Sequence, residues 1–150
     1  VPLYKDQVII YLEDLAKSLN IESNEKLLTP TMLNSYVKQR VIPAPKDKKY
    51  TEEHLAYLIV VGVLKQVFSL QEICELINIQ IKGYSVEEAY DYFCDEIEKA
   101  IKAVFITRDF SYASMVDNNI KESKMLKSAV LSFAHKLYIT EYLKDETTND

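Results

Sequence analysis

Glycine and proline are scarce, with two glycines and four prolines in 150 residues. A sandwich or barrel needs many tight turns and the residues that make them. A β architecture is therefore disfavoured, and an all-α fold of about six helices is expected. Cysteine is equally sparse. Cys74 and Cys94 match no zinc or redox spacing, which suits two inert, buried thiols in a reducing, cytoplasmic setting. No apolar run is long enough to cross a bilayer. The longest, running from Leu55 through Tyr57 to Leu64, is far short of the roughly 20 residues a span requires, so no membrane partner is expected. The N-terminus lacks the basic-then-apolar layout of a secretory signal. It opens on Val1 rather than Met, and further residues upstream are expected.

Constellations for catalysis are missing as well. There is no Gly-rich phosphate loop, no Gly-x-Ser-x-Gly and no supported Cys/His dyad. His54 lacks the second histidine of a zinc helix and reads as a surface or half-buried residue near a helix start. His135 reads as packing. Glu87, Asp91, Asp95 and Glu98 share a helix face, but no Glu-x-x-His motif accompanies them, so a solvated face is the simpler reading. No catalytic residue, metal ligand or cofactor is expected, and the chain is read as a non-enzyme.

What is present is helical periodicity punctuated by caps. Leu3, Val8, Tyr11, Leu12, Leu15 and Leu19 recur at three- and four-residue steps and predict a helix over 3–19. Residues 20–25 read as a loop. Thr29-Pro30 starts a short helix to about Arg40, which Pro43 and Pro45 stop. Thr51, followed by Glu52 and Glu53, starts an apolar helix expected at the centre of the fold. Ser69-x-x-Glu72 is a capping box opening a helix to about Ile77. Ser85 starts a helix whose stripe runs through Val86, Ala89, Tyr90, Phe93, Ile97, Ala100, Ile101 and Val104. Residues 107–119 are ambiguous. A last helix is expected over 120–144, with Leu126, Val130, Phe133, Leu137 and Tyr138 facing inward and a frayed tail from Glu146. The chain reads as one domain, with halves 1–78 and 79–150.

Net charge is −5, which argues against indiscriminate coating of nucleic acid. The charge is uneven, however. Residues 29–50 carry five basic groups against one acidic, a local +4. Screening acts over about 8 Å at physiological salt, so a partner meets that segment rather than the average. A short helix bearing Thr31, Asn34, Tyr36, Lys38, Gln39 and Arg40, followed by a loop with Lys46, Lys48 and Lys49, suits double-stranded DNA. Asn and Gln pair with adenine and Arg with guanine, so Asn34, Gln39 and Arg40 are the base-reading candidates. Tyr36, Lys38 and the three loop lysines are the backbone-contacting candidates. The simpler alternative is that these charges form an ordinary solvated face.

In order, these residues resemble the N-terminal winged helix-turn-helix of MerR-type transcription regulators. Tyr36 stands at a recognition-helix tyrosine, Val41-Ile42-Pro43 at the helix exit, and Lys48-Lys49-Tyr50 at the wing end. Thr51 to Leu55 match the next helix start, and Val67 to Ile73 a later turn. Asn34 stands where that pattern carries arginine, Ser35 where it carries an aromatic, and Arg40 where it carries glycine. Over nearly the whole chain the sequence is similar to a small MerR-like family of Gram-positive bacteria known only as a domain of unknown function. Pro2 to Val8, Leu28 to Lys38 and Leu64 to Ser69 carry that likeness. The resemblance implies a DNA-binding transcriptional regulator working as a homodimer. Two other readings stay open. One is a helical protein-interaction module. The other is an unidentified small-molecule effector bound by the tyrosine-rich C-terminal half.

Overall fold

The computed structural model describes residues 1–18, 27–113 and 120–148. The expected loop over 20–25, the inward Leu19 and part of the ambiguous 107–119 stretch lie outside the described residues. The described chain is mostly helical, with one small two-stranded sheet. It divides into two compact units, Val1–Val63 and Leu64–Asp150.

The first unit begins with β1 (Leu3–Tyr4), followed by α1 (Lys5–Ser18) and α2 (Pro30–Lys38). Then come β2 (Lys49–Tyr50) and α3 (Glu52–Leu64), whose last residue passes into the second unit. Leu3 and Tyr4 were expected inside a helix and instead pair antiparallel with Tyr50 and Lys49. The reason is local. Gln7 turns its Oε1 back to accept from the Tyr4 N–H at 2.9 Å. That contact ends α1 at Lys5 in the manner of a capping-box glutamine and leaves the preceding residues extended. Val8, Leu12 and Ala16 of α1 are buried, as are Leu33 and Tyr36 of α2, Val41, Ile42 and Tyr50. Tyr11, expected among the buried residues, is exposed.

Helix α2 starts where Thr29 caps it: the Met32 N–H donates to Thr29 Oγ1 at 3.1 Å, and Pro30 follows. In α3, Leu58, Val61 and Leu64 are buried, while Leu55, Ile59 and Val60 are half-buried. The helix is thus less enclosed than its all-round apolar surface suggested.

The second unit holds α4 (Leu70–Ile81), α5 (Val86–Lys102), a π-helical turn (Ala103–Thr107) and α6 (Lys121–Thr148). Two reciprocal capping boxes open α4 and α5. Ser69 and Glu72 exchange bonds of 3.0 and 3.2 Å, and Ser85 and Glu88 two of 3.1 Å. Each such cap contributes about 1 kcal/mol. Helix α4 runs four residues past the expected Ile77, because no glycine or proline intervenes before Gly83. Helix α6 likewise runs through Thr148. Ile73, Phe93, Ala100, Val104, Leu126, Val130 and Phe133 are buried. Tyr138, expected to face inward, is exposed, and so is His135. They lie against Phe105 and Phe110, at ring separations of 5.4 and 5.3 Å.

Candidate nucleic-acid interface

Two structural motifs set the surface of the first unit. The first is the end of α2. The Arg40 N–H donates to the Val37 carbonyl at 3.1 Å and the Val41 N–H to the Tyr36 carbonyl at 2.9 Å. Arg40 sits at φ 60°. This is the double bond pattern of a Schellman motif, with a left-handed residue just past the cap. Arginine occupies the position that favours glycine, so a long cationic side chain leaves the helix end where most helices have none.

The second motif is a two-residue hairpin. Lys46 and Lys49 exchange both backbone bonds, at 3.2 and 2.8 Å. Asp47 and Lys48 between them sit at φ 50° and 64°. Positive φ at both central residues defines the turn whose twist suits a tight hairpin. It presents Lys46, Lys48 and Lys49 as exposed groups around one tip. Its strand β2 pairs with β1, so the loop expected from the lysine run is a tight turn leading into the two-stranded sheet.

His54 fastens this hairpin to α3. It is only 6% exposed. The Thr51 N–H donates to its Nδ1 at 3.0 Å, so the proton is on Nε2, which donates to the Ala44 carbonyl at 3.1 Å. The imidazole takes the place of the glutamate of a capping box and also holds the linker that leads into the hairpin. The Tyr50 ring meets it edge-on at 5.3 Å. The sequence suggests a surface or half-buried residue here, whereas these bonds hold the ring in the interior. The signal was Thr-x-x-His, the spacing of a reciprocal cap.

The candidate residues separate into groups. Thr31, Asn34 and Lys38, at steps of three and four along α2, are exposed, opposite buried Leu33 and Tyr36. Tyr36 is 4% exposed, so the structure places its ring in the core of the unit and not on this face. Gln39 and Arg40 are exposed at the helix end, where the Gln39 amide donates to Ser35 Oγ at 2.6 Å. Asn34, Lys38 and Lys48 meet along one groove of about 600 Å³, together with Tyr4, Lys5 and Tyr50.

Tyr4 and Lys5 had no assigned role in the sequence. Tyr4 is 54% exposed and its ring lies 5.4 Å from Lys49 Nζ, a cation–π distance. Lys5 donates to Asn34 Oδ1 at 2.6 Å. Only β1–β2 pairing brings these residues to α2, and pairing between segments 46 residues apart has no local signature.

In the second unit, Glu87, Asp91 and Glu98 are exposed as expected, while Asp95 is half-buried and lies 3.0 Å from Lys99. Glu96 is 2% exposed. It falls three residues after Phe93 and four before Ala100, on the buried stripe. Near it, burial first, then the carboxylates of Glu96 and Asp95, push the Tyr112 phenol up to about 12. The Tyr112 hydroxyl finds no hydrogen-bond partner among the described residues. Both cysteines, expected buried, are half-buried and form no disulfide, and burial raises the Cys94 thiol. Among the described residues no group of three His, Cys, Asp or Glu could hold a metal ion. None of their helices is long and apolar enough to cross a membrane.

The first unit is thus a small helical unit with a cationic hairpin beside an exposed polar helix. A family model described as Domain of unknown function (DUF1836) matches residues 1–93, and the chain belongs to that family. The matched stretch contains the whole first unit and continues to Phe93 of α5. Neither a curated protein nor a solved structure gives a match.

Proposed function

We propose that this chain is a DNA-binding transcriptional regulator, with α2 as the recognition helix of a MerR-like winged helix-turn-helix and the 46–49 hairpin as its wing. The observation that carries the reading is one groove bordered by α2 and by the hairpin tip, bearing Asn34, Lys38 and Lys48. A helix fits a major groove, and lysines on a protruding hairpin suit the flanking phosphates. The positive segment stands out against an acidic remainder, which favours docking in one orientation. A homodimer is part of the proposal, since two half-sites multiply a weak single contact.

Binding to random-sequence duplexes across a salt series tests this. The wild-type affinity is expected to fall steeply with salt. Reversing Lys46, Lys48 and Lys49 to Glu is expected to flatten the slope of log K against log salt by up to about 2.7, the value for three lost phosphate contacts. An unchanged slope in a folded variant would remove the hairpin from the interface.

The second reading, a protein-interaction module, has its own observation. Ile139 and Tyr142 of α6 are 56% and 57% exposed, beside exposed Ile106 and Tyr138. Apolar exposure of that kind marks association surfaces. Absence of duplex binding at low salt would favour it.

A further inference from the structure

An asparagine side chain reads adenine by doing two things at once. Its carbonyl accepts from N6 while its amide donates to N7. Asn34 is not arranged to do both. Its Oδ1 accepts from the Lys5 ammonium at 2.6 Å, a charge-assisted bond of the stronger kind. Lys5 itself is half-buried at the first residue of α1, which limits its freedom to swing away. With its Oδ1 already accepting from Lys5 in this exposed pair, Asn34 presents its NH2 to a ligand.

The rest of the groove has the same character. Lys38 and Lys48 are pure donors, and Lys5 keeps two N–H groups beyond the one given to Asn34. Asp6 is the single carboxylate in the lining. Guanine is the base whose major-groove edge carries two acceptors side by side, N7 and O6, with no donor between them.

We infer that Lys5 is a positioning residue that fixes the Asn34 carboxamide with its NH2 outward, so that this groove takes the acceptor pair of a guanine edge in preference to adenine. The inference rests on the DNA-binding reading and gives it a base preference opposite to that expected from an unconstrained asparagine. A phosphate shares the acceptor chemistry of guanine but carries no base identity, and the experiment separates the two.

The test is selection from a random duplex library with the wild type, Lys5→Met, Lys5→Arg and Asn34→Asp, each shown to be folded by circular dichroism. The wild type is expected to enrich guanine over adenine about tenfold at one position per half-site, the lower part of the range for a well-made base contact. Lys5→Met frees the carboxamide to turn and is expected to lose that ratio. Lys5→Arg keeps a cationic donor and retains it. Asn34→Asp keeps the Lys5 partner but has no outward donor, and loses it. Without DNA, the Asn34 side-chain amide resonances are expected to shift in Lys5→Met and to stay in place in Lys5→Arg.

Enrichment of adenine, no base preference at all, or a guanine preference unchanged in Lys5→Met overturns the inference while leaving DNA binding intact. Failure of the folded wild type to bind any duplex at low salt overturns both.

Discussion

Replacing His54 separates the cost of a helix cap from the cost of a loose hairpin. In His54→Ala four contacts go together; the Thr51 Oγ1 contact at 3.0 Å shares Nδ1 with the Thr51 N–H, and the other three carry the cost. The Thr51 N–H loses its acceptor, a capping loss of about 1 kcal/mol. The Ala44 carbonyl loses its donor, about 1 kcal/mol. The edge-on Tyr50 contact adds about 1 kcal/mol beyond the area it buries. The expected loss is about 3 kcal/mol, a large part of the roughly 5–15 kcal/mol that holds a domain together. His54→Gln puts an acceptor back at the third helical position, where glutamine completes a capping box. It should recover about 1 kcal/mol, and the bond to Ala44 should stay broken. Urea unfolding followed by circular dichroism gives the two differences. Backbone amide exchange at Lys46 and Lys49 reports on the hairpin separately, and both variants should exchange faster there. A His54→Ala protein within about 0.5 kcal/mol of wild type would refute the reasoning. So would a glutamine variant no better than alanine, since then the cap bond contributes nothing.

Two further predictions concern positions where the backbone or burial is costly. Arg40→Gly and Lys48→Gly each remove a side chain from a left-handed residue and are expected to stabilise the chain by about 1 kcal/mol in urea unfolding, while weakening duplex binding. Tyr112 holds its proton to about pH 12 in the folded chain against about 10 when unfolded. Stability is therefore full below pH 10 and falls as pH rises toward 12, with the drop damped by solvent screening of this part-exposed group. Tyr112→Phe should lessen that fall, leaving the part owed to Tyr50 and Tyr57, whose phenols burial also raises, and, having no buried hydroxyl to satisfy, should be at least as stable as wild type at pH 7. An alkaline limb unchanged in Tyr112→Phe would show that the phenol is not its source.

Helix starts were the most legible part of this chain, because each is written within four residues. Thr29, Thr51, Ser69 and Ser85 all precede observed helices by one position, and the side chains of Thr29, Ser69 and Ser85 accept from amides three residues on. The ends were less legible. Helix α4 outran Ile77, and Tyr138 turned outward, because neither outcome depends on near neighbours in sequence. The candidate surface divided in the same way. Exposed Asn34, Lys38 and Lys48 followed from composition and spacing, whereas Tyr36 went inward because position 36 follows Leu33 by three on the buried stripe of a nine-residue helix. Tyr4 and Lys5 could not be found at all without the β1–β2 pairing that carries them to α2.

The distribution of backbone cost argues for function at this end of the molecule. Among the described residues four non-glycine positions have positive φ, and three of them, Arg40, Asp47 and Lys48, border the α2–hairpin surface. Glycine would hold each conformation more cheaply, and the chain places none there. Arg40 and Lys48 are cations whose backbone geometry aims them outward at the helix end and at the hairpin tip. Residues held in sparsely populated conformations cluster where a site needs them. On the proposed DNA-binding reading these positions belong to the surface that meets the duplex, and the local excess of positive charge there suits an anionic partner.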